Sequence, residues 1–153
     1  MITVYDETQR LHAPETFIVS GRPQPIPEKP IRIDMLMEGV KAVGSHAVRP
    51  PSITLDGVRL VHDARYLAFL DTLLERWSRI EGASDIPMPN VYALGRSTLP
   101  PAGYPDAVVG QAGYHLGDGA CPVTPMTLPA ALASAASALH AAELVQGGEK
   151  LVY

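Results

Sequence analysis

A chain of 153 residues, 46% hydrophobic and 18% charged, has room for one ordinary domain and is too apolar for wholesale disorder. Its net charge of -4, from 12 basic and 16 acidic residues without a basic stripe, argues against a nucleic-acid partner held through phosphates. A single cysteine, Cys121, excludes an internal disulfide and a multi-cysteine metal site. The apolar runs read as too short for a membrane span, and no charged leader precedes an apolar core, so the expectation is a reduced, cytoplasmic protein.

Residues 2–5 (ITVY) are β-branched and aromatic, which predicts a short strand. Residues 22–30 (RPQPIPEKP) hold four prolines in nine residues, and proline fixes φ and removes a donor, so an irregular loop is expected there. Between Pro30 and Gly44, the apolar residues Ile33, Leu36, Met37, Val40 and Val43 recur at three and four spacing, predicting an amphipathic helix. Residues 46–49 suit a second strand, closed by Pro50 and Pro51, and Asp56-Gly57 suits a turn.

The clearest helix spans about 63–80, with Asp63 as cap and Tyr66, Leu70, Leu73, Leu74 and Trp77 along one face. Glu75 and Arg76 lie off that stripe and should meet solvent. A proline- and glycine-rich region over 82–113 exceeds the usual loop length and reads as functional or interfacial. A second long helix is expected over about 128–146, capped by Thr127, with Pro129 in its first turn and Gly147-Gly148 at its stop. Its alanine-rich middle permits close packing against a sheet. Residues 149–153 (EKLVY) open a strand. Strands alternating with helices imply a parallel sheet layered with helices, and such folds place chemistry at the carboxyl ends of strands.

The residues themselves offer little catalysis. His12, His46, His62, His115 and His140 lack the three-to-five spacing that a helical zinc pair needs. Cys121, between Ala120 and Pro122, lacks an adjacent base. Gly113, Gly117 and Gly119 do not form a phosphate loop, since more loop follows them before the next helix. Asp118, flanked by glycines, could accept from a ligand or cap a turn.

Several segments together resemble one family. PEKPIR (27–32) is similar to the Pro-Glu-x-Pro-x-Arg segment of histone deacetylase-like proteins. VHDARYLAFL (61–70) resembles their Val-His-x-x-x-Tyr-Leu-x-Phe-Leu helix opening, and GDGACPV (117–123) their loop ending in Cys-Pro-Val before an alanine-rich helix. RLHAPETFIVSG and GQAGYHLGDGACPV are similar to the bacterial acetylpolyamine amidohydrolases within that family.

The resemblance implies an α/β, arginase–deacetylase-type three-layer parallel-sheet fold, of which this chain is the N-terminal, incomplete portion. It implies that the complete protein uses zinc to polarise an acetyl-amide carbonyl and activate water, with histidine moving protons. The family's Arg-Pro-Pro-Gly-His-His loop, Asp-x-His pair, second metal-binding aspartate and transition-state tyrosine are absent here and expected beyond Tyr153. No catalytic residue and no metal ligand is therefore assigned, and the chain alone is expected to be inactive. The resemblance offers Phe17, Tyr114, His115 and Asp118 as substrate-channel residues, with residues 12–17 as a channel wall. Phe17 and Val109 take approximate positions that some polyamine enzymes make acidic, which argues against polycation selectivity. Residues 82–113 match an insertion implied to form a dimer contact. The implied partners are a C-terminal catalytic portion and a second copy, without nucleic acid or membrane. The alternative is a stand-alone, non-catalytic dimerising or binding protein derived from the family.

Overall fold

In chain order, the described residues of a computed structural model (1–92 and 103–153) begin with strand β1 (Ile2–Val4), a 3-10 turn (Glu7–Leu11), β2 (Thr16–Val19) and β3 (Arg22–Pro25). Then come helix α1 (Ile31–Ala42), β4 (His46–Val48), α2 (Leu55–Val58), α3 (Ala64–Trp77), α4 (Val108–His115) and α5 (Thr127–Gln146). They group into two units: Met1–Ala13, Pro27–Leu60 and Pro125–Tyr153 form the first, and Pro14–Ile26 with Val61–Thr124 the second.

The first unit is built on a parallel sheet. β1 pairs with β4, Ile2 opposite His46 and Val4 opposite Val48. On its other edge, Ile2 bridges Val152, the Val4 amide donates to the Tyr153 carbonyl at 2.7 Å, and the Tyr153 amide donates to the Ile2 carbonyl at 2.9 Å. Alternate amides of a strand point to opposite edges, so β1 lies in the middle: its next amide, Tyr5, donates to Val48 on the β4 side at 3.0 Å. The strand opening expected at 149–153 is thus present as a bridge.

The helices of this unit bury less than their sequences suggest. Only Val40 of the α1 stripe is buried, while Leu36 and Val43 are exposed. In α5 only Ala130 and Ala136 are buried, so most of its small side chains stay at least partly exposed. Thr127, expected as the cap, is already helical, and Met126 takes the cap position. The expectation that no apolar run is long enough for a membrane also fails. At 20 residues, α5 is long and apolar enough by length and composition, much of that from alanine.

The second unit corrects the reading of 22–30 as irregular. Residues 22–25 form β3, paired antiparallel with β2. Ser20 and Gly21 both have positive φ (51° and 74°), the conformation a tight hairpin turn demands. Pro23 and Pro25 face Ile18 and Thr16, at positions alternate to Phe17–Gln24 and Val19–Arg22. On alternate positions an antiparallel strand needs no ladder donor, so proline is tolerated there.

The core of this unit is Phe69, Leu73 and Trp77 of α3, Val108 and Ala112 of α4, and Val123. Asp63 caps α3, accepting from the Arg65 amide at 2.8 Å. Arg76, expected in solvent, instead donates from Nη1 to Gln111 Oε1 at 2.5 Å and from Nη2 to the Asp106 carbonyl at 2.9 Å. It fastens α3 to the start of α4. Part of 82–113 is therefore helical; of the dimer contact placed there, 93–102 lie outside the described residues. The turn expected at Asp56-Gly57 is the single helical turn α2.

α4 approaches the preceding loop so closely that a Cβ on Gly113 would lie 2.2 Å from the Val91 carbonyl oxygen. Gly113→Ala is expected to destabilise by about 1–3 kcal/mol, the usual cost of overpacking. Urea unfolding followed by Trp77 fluorescence checks this, and an unchanged midpoint would contradict it.

Candidate functional site

The hairpin presents Phe17 and Ile18 to the loop that follows α4. The Ile18 amide, on the edge away from β3, donates to the Gly119 carbonyl at 3.2 Å. That contact is close, and a Cβ at 119 would crowd Ile18 Cβ at 3.1 Å and the Tyr92 hydroxyl at 3.4 Å. Between hairpin and loop lies a cleft of about 340 Å³, part of it open to solvent. Its apolar walls include Phe17, Ile18, Met88 and Leu116, and its polar groups include Asp118, Tyr92 and Cys121.

Asp118 is held in place. Its Oδ1 accepts from the Ala120 amide at 2.8 Å, a local turn that fixes the carboxylate on an exposed loop. The turn-closing reading of this residue is thus met in the structure, and the same residue also lines the cleft. Tyr92 faces the same space. Burial pushes its phenol above the ordinary range, and the Asp118 charge adds to the effect. The phenol stays protonated at neutral pH and can donate a hydrogen bond.

The other two channel candidates sit elsewhere in the unit. Tyr114 and His115 end α4 in an aromatic cluster. The His115 ring lies 4.8 Å from Phe69, 5.5 Å from Tyr66 and 5.0 Å from Tyr114. The Tyr104 hydroxyl and His115 Nε2 are 2.8 Å apart and hydrogen bonded. Arg65 lies 5.2 Å over the Tyr104 ring. So Phe17 and Asp118 come together, while His115 packs on Tyr66 and Phe69 of α3, with Tyr114 beside it. Val109 packs against the apolar core. Sequence reasoning missed Tyr92, Met88 and Tyr104; they fall in the proline-rich region, where no periodicity marks a facing side chain.

Among its described lining residues, the cleft gathers neither a metal site nor a nucleophile–base pair. Among the described residues no three of His, Cys, Asp and Glu gather to hold a metal ion. Cys121 is exposed on the cleft wall, and no histidine lines that wall. His12 instead meets Thr127 (Nδ1 to Oγ1, 3.1 Å), and His140 meets Glu143 at 3.3 Å. Burial lowers the His12 pKa, favouring the neutral ring. The described residues do not fit zinc. The arrangement can bind a short apolar group with one cationic or hydrogen-bonding end.

Comparison with known proteins places this geometry. No family model matches the chain. It is 35% identical to an acetylpolyamine amidohydrolase of Burkholderia pseudomallei, over its whole length and 43% of that protein's. It is 31% identical to acetylpolyamine amidohydrolase 2 of Pseudomonas aeruginosa and 30% identical to the Mycoplana ramosa acetylpolyamine amidohydrolase, covering 44% of each. A crystal structure of acetylpolyamine aminohydrolase from Burkholderia pseudomallei superposes with a TM-score of 0.83 at 35% identity, over 97% of this chain and 42% of that one. The chain thus spans less than half the length of the relatives it matches. The resemblance to acetylpolyamine amidohydrolases read from the motifs extends over the whole chain, and its own α/β fold with a parallel sheet superposes on part of the Burkholderia pseudomallei structure.

Proposed function

We propose that this chain is the N-terminal part of a zinc-dependent acetylpolyamine amidohydrolase-like protein and forms one wall of its acetyl-amine channel. In the complete protein, zinc would polarise the acetyl carbonyl and acidify the attacking water. Its ligands would come from polypeptide outside this chain, whose described residues gather no such set. What this chain's own residues do is bind and orient.

The observation that carries the reading is the cleft that brings Phe17 and Asp118 together through the Ile18–Gly119 hydrogen bond. Its apolar walls suit a methylene chain, and Asp118 suits one ammonium end. With Phe17 apolar, the single carboxylate of the cleft favours an acetylated diamine, which has one ammonium end, over a longer polycation.

Two measurements test it. Alone, the 153-residue chain is expected to purify with far less than one zinc per chain and to release no acetate from an N-acetylated diamine; stoichiometric zinc or turnover would overturn the assignment. The same diamine should shift the Ala120 amide resonance saturably, with an affinity at least fivefold weaker in Asp118→Asn. Equal affinities would remove Asp118 from the channel wall.

A further inference from the structure

The first unit holds a second cavity, of about 480 Å³ with its open mouth, just past the carboxyl ends of the parallel strands β1 and β4. Asp6 follows β1 and Arg49 follows β4, and both line it. Open α/β sheets take ligands at this end of their strands, because the connecting loops diverge there.

The polarity of the cavity is one-sided. Asp6 Oδ1 accepts from the Thr8 amide and Oδ2 from Arg49 Nε, each at 2.8 Å, so each carboxylate oxygen already accepts one hydrogen bond. The Asp6 side chain is 10% exposed and that of Arg49 77% exposed. What the cavity shows a ligand is therefore the cationic half of the pair. Nη1 and Nη2 of Arg49 have no partner among the described residues, while Nε is anchored, so the planar fork is held at one edge with donors to spare. Ser52 and Thr8 add hydroxyls at the wall, and Leu132 and Ala133 of α5 give it an apolar side. An ammonium ligand finds its one carboxylate nearly buried and already paired with Arg49; a carboxylate ligand finds an exposed fork that matches it.

We propose that this cavity binds a small monocarboxylate, its anionic head on the Arg49 guanidinium and its short hydrocarbon body against Leu132 and Ala133. The site is shallow and the guanidinium largely hydrated, so half-saturation is expected at about 1 mM or weaker.

The test titrates the full chain with sodium butyrate at fixed ionic strength, following the Arg49 Nε–H and Ala133 amide resonances, with butylammonium chloride as control. Saturable shifts of both with butyrate, and none with butylammonium, are expected. Arg49→Lys, which keeps the charge and loses the fork, should weaken binding at least tenfold by the Ala133 resonance. Ala133→Phe, which fills the apolar side while leaving Asp6 and Arg49 themselves unchanged, should abolish it. Shifts that fail to saturate, equal responses to butyrate and butylammonium, or full affinity in Arg49→Lys or Ala133→Phe would each overturn the proposal.

Discussion

Truncating Leu73 to alanine is expected to lower the unfolding free energy by about 2–5 kcal/mol, the cost of removing buried methyl groups and leaving a void. Leu73 is fully buried and sits one helical turn from Phe69 on one side and Trp77 on the other. Residues four apart stack on one helix face, so these three form a continuous ridge, and α4 lays Val108 and Ala112 against it. The neighbours that might collapse into the void are held. Trp77 is pinned by its Nε1 donating to the Ser84 carbonyl at 2.9 Å, and Arg76 bonds at both Nη atoms. Limited relaxation puts the loss toward the upper part of that range. Trp77 is the chain's one tryptophan and touches the altered site, so its fluorescence in urea reports the unit directly. A fall in midpoint with unchanged slope is the expected result; a change under about 1 kcal/mol would show that α3 is not seated as described.

The same ridge marks how far the sequence could be read. Existence, type and rough bounds of α1, α3 and α5 followed from spacing and stop residues, and β1 and β4 from β-branched runs. The centre of the α3 face did not. With apolar residues at 66, 67, 69, 70, 73, 74 and 77, the helix is apolar over a wide arc, and periodicity alone does not choose between Phe69 and its flanking neighbours. The packing of α4 chose Phe69. Proline hid the hairpin, because its cost depends on which ladder positions it takes, and that is settled only by pairing. In the cleft, Phe17 and Asp118 were legible through resemblance and loop chemistry. Tyr92 was not, since it joins Asp118 only after α4 has folded back on residues 89–91. The exposed stripe of α1 and the sparse burial of α5 show a further limit: amphipathicity reports a face fit for burial, not the surface that buries it.

Asp6 provides the second large effect, and it is pH-dependent. Hydrogen bonds from Thr8 and the neighbouring Arg49 guanidinium hold its carboxyl at about 2, below the ordinary value of 3.8. The unfolded chain therefore binds the proton first on acidification. The carboxylate's contribution to stability is complete above about pH 4–5, declines as pH falls through the unfolded value, and is lost below about 2. Asp34 and Asp63 are also lowered, by Arg10 and by the Arg65 amide, but both are exposed and screened, so they contribute less. Asp6→Ala removes a cap on the 3-10 turn and a charge-assisted bond across the ends of β1 and β4. At pH 7 it is expected to cost about 3 kcal/mol, with each bond at the low end for a charged acceptor because Arg49 is hydrated. Two readings isolate the residue. The Thr8 amide proton, which donates to Asp6, should titrate with a midpoint near 2; a midpoint near 4 would remove the proposed hold on the carboxylate. The urea stability gap between wild type and Asp6→Ala should shrink steadily from pH 5 to pH 2, because Asp34 and Asp63 titrate equally in both proteins and cancel. A gap that stays constant over that range would mean that Asp6 stabilises through packing rather than charge.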